Sequence, residues 1–193
     1  MLVQVPRRPY LCGMLHSARL ASALLAVGLL ATVPAAAQQK HAPAKAATSA
    51  SPKKLGGFED WTAATHQESG QLVCYAFTRA QNSTPVLPGR GEVVLTVTER
   101  PVGREAVALS AGYSYAPGAE VMMQVDQSGH TLYTSGRSAF AREGAAVVAA
   151  MQKGRGVVSR SPGPNKSQIV DSFSLKGFSQ AYAAIVKACP AAK

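Results

Sequence analysis

Apolar residues fall along this chain in three rhythms. The first is the uncharged run over residues 20–33, LASALLAVGLLATV. Arg7, Arg8 and Arg19 precede it, and the small residues Ala35, Ala36 and Ala37 follow it. A basic start, an apolar centre and an A-x-A end are the order of a secretory signal peptide. The run is too short for a membrane span, which takes about 20 apolar residues. The pattern therefore predicts a leader over residues 1–37 that is removed on export. Arg7-Arg8 resembles a twin-arginine pair, but it stands far from the apolar run and no cofactor motif follows. The general secretory route is expected.

A second rhythm has a period of two. In Leu72–Arg79 it places Leu72, Cys74, Ala76 and Thr78 on one face and Val73, Tyr75 and Phe77 on the other. Further β-type runs are Glu92–Glu99, Ala106–Ala111, Glu120–Val125, Thr131–Thr134, Val157–Ser159 and Gln168–Phe173. Turn residues separate them, notably Asp126–Gly129 and the segment Ser161-Pro-Gly-Pro-Asn165. Short strands so spaced predict an antiparallel sandwich or barrel.

The third rhythm is helical. Arg142–Lys153 is Ala/Val-rich, with Lys153 in its last turn and Gly154 where a left-handed C-cap is expected. In Gly177–Cys189, residues Phe178, Ala181, Tyr182, Ile185, Val186 and Cys189 recur at 3.6-residue spacing. That stripe puts Cys189 on the buried face. Phe58, Trp61, Leu95, Val97, Phe173, Leu175 and Phe178 are the expected core.

Leader removal changes the charge. The whole chain has 20 Lys+Arg against 10 Asp+Glu, a net +10. Three of the basic residues lie in the leader, so the chain from Gln38 carries 17 against 10, or +7. Lys40, Lys45, Lys53 and Lys54 belong to an acid-free stretch, residues 38–54, which leaves 13 against 10, or +3, for residues 55–193. The basic character belongs to a solvated Ala/Pro/Ser/Lys linker rather than to a nucleic-acid-binding face. Such an arm can still be drawn to an anionic envelope surface by counterion release. Residues 55–193 suffice for one domain with one core.

Leader removal also changes the cysteines. Cys12 leaves, and Cys74 and Cys189 remain. Two cysteines in an exported chain, with no C-x-x-C spacing, predict one structural disulfide. It would pin the closing helix to the strand Leu72–Arg79.

Catalytic signatures are sparse. H-E-x-x-H, G-x-S-x-G and the phosphate-binding G-x-x-x-x-G-K-[ST] are all missing from the sequence. A hydrolase could in principle use Asp60 and His66, although a triad is recognised only by geometry. His66, before Gln67-Glu68-Ser69-Gly70, and His130, after Ser128-Gly129, read as surface histidines near hairpin tips. Tyr113 and Tyr115, alternating about Ser114, are candidate surface-binding aromatics, with a sandwich rim as the alternative. Arg100-Pro-Val-Gly-Arg104 reads as a solvated basic turn. No catalytic, cofactor-binding or metal-ligating residue is assigned.

Several blocks together resemble the invasion-associated locus B family of secreted bacterial proteins. They are Phe58-Glu-Asp-Trp61, Val73-Cys-Tyr75, Gly112-Tyr-Ser-Tyr-Ala-Pro-Gly-Ala-Glu-Val121, Val148–Gly154, and Asp171–Phe178 with Ala188-Cys189. Glu59 stands where glycine is common in the family's F-G-D-W block. The resemblance implies an immunoglobulin-like β-sandwich with added helices, in a periplasmic or envelope-associated protein of Gram-negative bacteria. It implies a non-enzymatic binding or assembly role with an unidentified envelope partner, a link to host invasion through the founding members, and no cofactor. No catalytic residue carries over from the family.

Overall fold

The computed structural model describes residues 51–192. The expected leader, and residues 38–50 of the expected linker, lie outside them. Eleven strands and two helices follow in chain order. They are β1 (Lys53–Phe58), β2 (Trp61–Glu68), β3 (Gln71–Arg79), β4 (Asn82–Thr84), β5 (Val94–Glu99), β6 (Ala106–Ser110), β7 (Glu120–Val125), β8 (Ser128–Ser135), β9 (Ser138–Ala141), α1 (Gly144–Lys153), β10 (Gly156–Pro162), β11 (Gln168–Ser174) and α2 (Phe178–Ala188). Lys53 and Lys54 already belong to β1, so the sheet begins two residues inside the expected linker.

All strand pairs are antiparallel, in the order β1-β2-β3-β5-β6-β9-β8-β7-β10-β11-β4. Although β4 directly follows β3, it pairs at the far end of that order. The crossing segment is held on both sides, by Ala80 N–H to Val93 O (2.9 Å) and Gln81 N–H to Ser172 O (2.8 Å). The ladder thus folds back on itself as a sandwich around one apolar cluster. This is the mainly β class that the period-two runs predict.

Register follows side-chain alternation. In β3 the buried Cys74, Ala76 and Thr78 face inward while Tyr75 and Phe77 are half-exposed on the other face. Leu95, Val97 and Glu99 of β5 meet Thr78, Ala76 and Cys74 on that same inner face. Of the expected core, Trp61, Leu95, Val97, Phe173, Leu175 and Phe178 are buried, and Phe58 packs against them at the margin.

Both helices appear where the sequence places them, α1 starting two residues later than expected. Phe178, Ala181 and Ile185 of α2 are buried against β1, β2, β3 and β5. The Phe178 ring lies 4.7 Å from that of Trp61, whose indole N–H donates to Ser174 O at 3.0 Å. Gly177 starts α2 at φ 83°, and a Cβ there would overlap the Phe58 carbonyl. Val147, Val148 and Met151 anchor α1.

The end of α1 corrects one expectation. Gly154 is extended (φ −84°), not left-handed. Space rather than torsion favours glycine here, since a Cβ would come within 2.9 Å of Val125 Cγ1 and 3.0 Å of Leu175 Cδ1.

Candidate functional site

A bridge joins Cys74 and Cys189, with Cα atoms 5.9 Å apart and a separation of 115 positions in sequence. It ties β3 to the end of α2, as the closing stripe predicts. Beside it is a buried acid. Glu99, the cross-strand partner of Cys74, is fully enclosed. Its Oε2 lies 2.8 Å from Arg104 Nη2, but neither carboxylate oxygen accepts an aligned hydrogen bond among the described residues. Burial therefore outweighs the attraction of Arg104 and raises the Glu99 pKa above its usual value. Arg104 also donates from Nη1 to Cys189 O at 2.9 Å, and the Tyr182 hydroxyl donates to Glu105 Oε1 at 2.8 Å. The basic turn Arg100–Arg104 is thus not simply solvated. Its last residue bonds the end of α2 beside the disulfide.

At the other end of β5, a second buried pair is fully satisfied. Arg90 grips Asp171 through two parallel bonds of 2.7 and 2.8 Å, and both side chains are nearly inaccessible to water. Ser83 donates to Asp171 Oδ1 (2.7 Å), and Arg90 Nε donates to Ala111 O (2.7 Å). The Arg90 guanidinium also lies over the Tyr113 ring, 5.2 Å from its centre.

This hub fixes the two tyrosines. Tyr115 is only 8% exposed and belongs to the apolar core, so it is not a surface-binding ring. Its hydroxyl lies 3.3 Å from Ser161 Oγ, and burial pushes its pKa up to about 12. Tyr113 is half-buried and donates to Pro162 O at 3.3 Å; burial raises its pKa as well. Neither residue is in a strand. They occupy the β6–β7 connection, with rings edge-to-face at 5.3 Å.

Next to Ser161 the sheet opens. Pairing of β7 with β10 ends at Met122 and Arg160, and a cleft of about 450 Å³ lies beyond it. Glu120, Met122, Thr131, Arg160 and Pro162 line it together with Ser161, whose side chain is buried. The cleft can bind through hydroxyls, one cation, one anion and an apolar patch. Nothing in the sequence marked it, because its walls are ordinary strand residues brought together by long-range pairing.

The other sequence candidates fall apart in space. Asp60 and His66 are six residues apart along extended chain, about 20 Å. They lie beyond hydrogen-bond reach, so no Asp60–His66 catalytic pair exists. His66 packs edge-on to Tyr75 at 5.4 Å, just before the two-residue turn Ser69-Gly70. His130 is not at a tip: the β7–β8 turn is Asp126-Gln127, and His130 sits within β8 opposite buried Met123. Its Nε2 is buried without a hydrogen-bond partner among the described residues. Those residues contain no cluster of three or more potential metal ligands.

A folded-over antiparallel β-sandwich with two helices, stapled by one disulfide, is the class these features define. The family model for invasion associated locus B (IalB) protein matches residues 61–186, and the chain belongs to that family. A crystal structure of invasion associated protein B from Bartonella henselae has the same fold, at 18% identity and a TM-score of 0.50. The match covers 69% of this chain and 95% of that one. No curated protein matches. No helix among the described residues is long and apolar enough to cross a membrane.

Proposed function

We propose that this chain is an exported envelope protein, cut after residues 35–37, with a non-catalytic binding or assembly role. The observation that carries this reading is the Cys74–Cys189 bridge. Such bridges persist in oxidising compartments, the destination that the leader pattern addresses. Residues 38–52 then form a basic connector between the cleavage site and β1. The separation of Asp60 from His66 supports the non-catalytic part. The solved relative is named as invasion associated, and contact with a host surface is the corresponding role proposed here.

Fractionation of cells producing the full chain, with crosslinking before lysis, tests the reading. The expected product is periplasmic, shortened by the leader, and crosslinked to an envelope component. An uncut cytosolic chain with reduced cysteines would contradict it.

A further inference from the structure

The cleft between β7 and β10 carries opposite charges on its rim. Glu120 and Arg160 share the outer face, displaced by two residues across the β7–β10 pair. They form no ion pair with each other. Arg160 instead donates to Gln124 Oε1 at 3.2 Å, and Glu120 takes part in none of the ion pairs found among the described residues.

Between the charges, the cleft offers both polar and apolar contact. The exposed Thr131 supplies a hydroxyl, while Ser161 lies behind the wall, its side chain buried with Oγ 3.3 Å from the Tyr115 hydroxyl. Met122, 47% exposed, and Pro162 supply apolar surface. The volume of about 450 Å³ lies in the range of small-molecule sites.

We propose that this cleft binds a small zwitterion, a free amino acid or dipeptide, with its ammonium at Glu120 and its carboxylate at Arg160. The guanidinium fork suits a carboxylate, and a single carboxylate at the opposite rim suits an ammonium. A neutral sugar would leave both rim charges without a counterpart. The inference goes beyond export and assembly, and its failure would leave that reading intact.

Calorimetric titration of the purified protein tests it, using alanyl-alanine, the N-acetylated dipeptide, the dipeptide amide and N-acetylglucosamine. Saturable binding of alanyl-alanine is expected, weakened at least about tenfold by either blocking group. Glu120→Gln should weaken alanyl-alanine equally but leave the N-acetylated form unaffected further. Arg160→Gln should do the same with respect to the amide. Both residues are exposed, and circular dichroism verifies that the variants fold. Absence of saturable dipeptide binding, indifference to both blocking groups, or tighter binding of N-acetylglucosamine would each overturn the proposal.

Discussion

The two ends of β5 solve the problem of buried charge differently. At the end near Val94, the Arg90–Asp171 pair is bidentate and supplemented by Ser83 and Ala111. At the end near Glu99, the acid touches one guanidinium nitrogen and lacks an aligned donor among the described residues. A covalent bridge stands beside this weaker pair, one strand away. The contrast shows two ways of closing a sandwich. One end is closed by a hydrogen-bonded ion pair between segments 81 residues apart, the other by a disulfide that tolerates imperfect electrostatics.

If that contrast holds, the largest loss should come from the covalent end. Replacing both Cys74 and Cys189 with serine removes a loop constraint worth about 4–5 kcal/mol in the chain-entropy model. Urea unfolding of the double variant should show that decrease, and an unchanged midpoint would remove the bridge from the stability argument. Asp171→Ala should rank next. It strands a buried guanidinium and should cost about 3–5 kcal/mol by the same measurement. A loss below about 1 kcal/mol would mean the pair is no better made than an exposed one.

Arg104→Gln should cost less, about 1–3 kcal/mol, through the stranded Glu99 carboxylate and the lost bond to Cys189 O. Equality with Asp171→Ala would erase the distinction between the two ends. Glu99→Gln gives the smallest effect, visible as a slope. Because burial raises the Glu99 pKa above 4.5, the folded state holds that proton more tightly than the unfolded state. Its stabilising contribution is complete below the unfolded value and fades as pH rises through the folded one. Thermal melts from pH 4 upward should therefore show a decline in the parent that is reduced in Glu99→Gln. Parallel curves would refute the assignment.

Alternation made the long strands legible. In β3 and β5, Cys74, Ala76, Thr78, Leu95 and Val97 are buried as period two reads them, but Leu72 on that same face of β3 is exposed and Val73 on the opposite face is buried. The helical stripe likewise located α2 and placed Cys189 facing the sheet. Other strands lacked that signal. Strand β2 carries Ala63, Ala64 and Thr65 in succession, all buried, so hydrophobicity does not alternate there. Strand β1 contains Gly56 and Gly57, while β4 and β9 have three and four residues. Their place in the sheet comes from partners distant in sequence.

Chemistry was less legible than fold, for a similar reason. Asp171 and Glu99 read as acids in or at the end of a strand, and only the structure reveals that they are buried, Asp171 beside Arg90 from a segment 81 residues away and Glu99 beside Arg104 from the turn that follows its own strand. The alternation of Tyr113 and Tyr115 suggested a shared strand face, whereas the Arg90 hub and Ser161 hold them in a packed connection. One departure was local and readable. Glu59, where glycine is common in the family's block, adopts φ 48°, a left-handed conformation that favours glycine.

We propose that this domain works as an exported unit closed by the Cys74–Cys189 bridge. Thiol titration of the denatured, unreduced protein isolated from the periplasmic fraction tests it most directly. No free thiol on the leader-less chain is the expected result. Two free thiols per chain would contradict it.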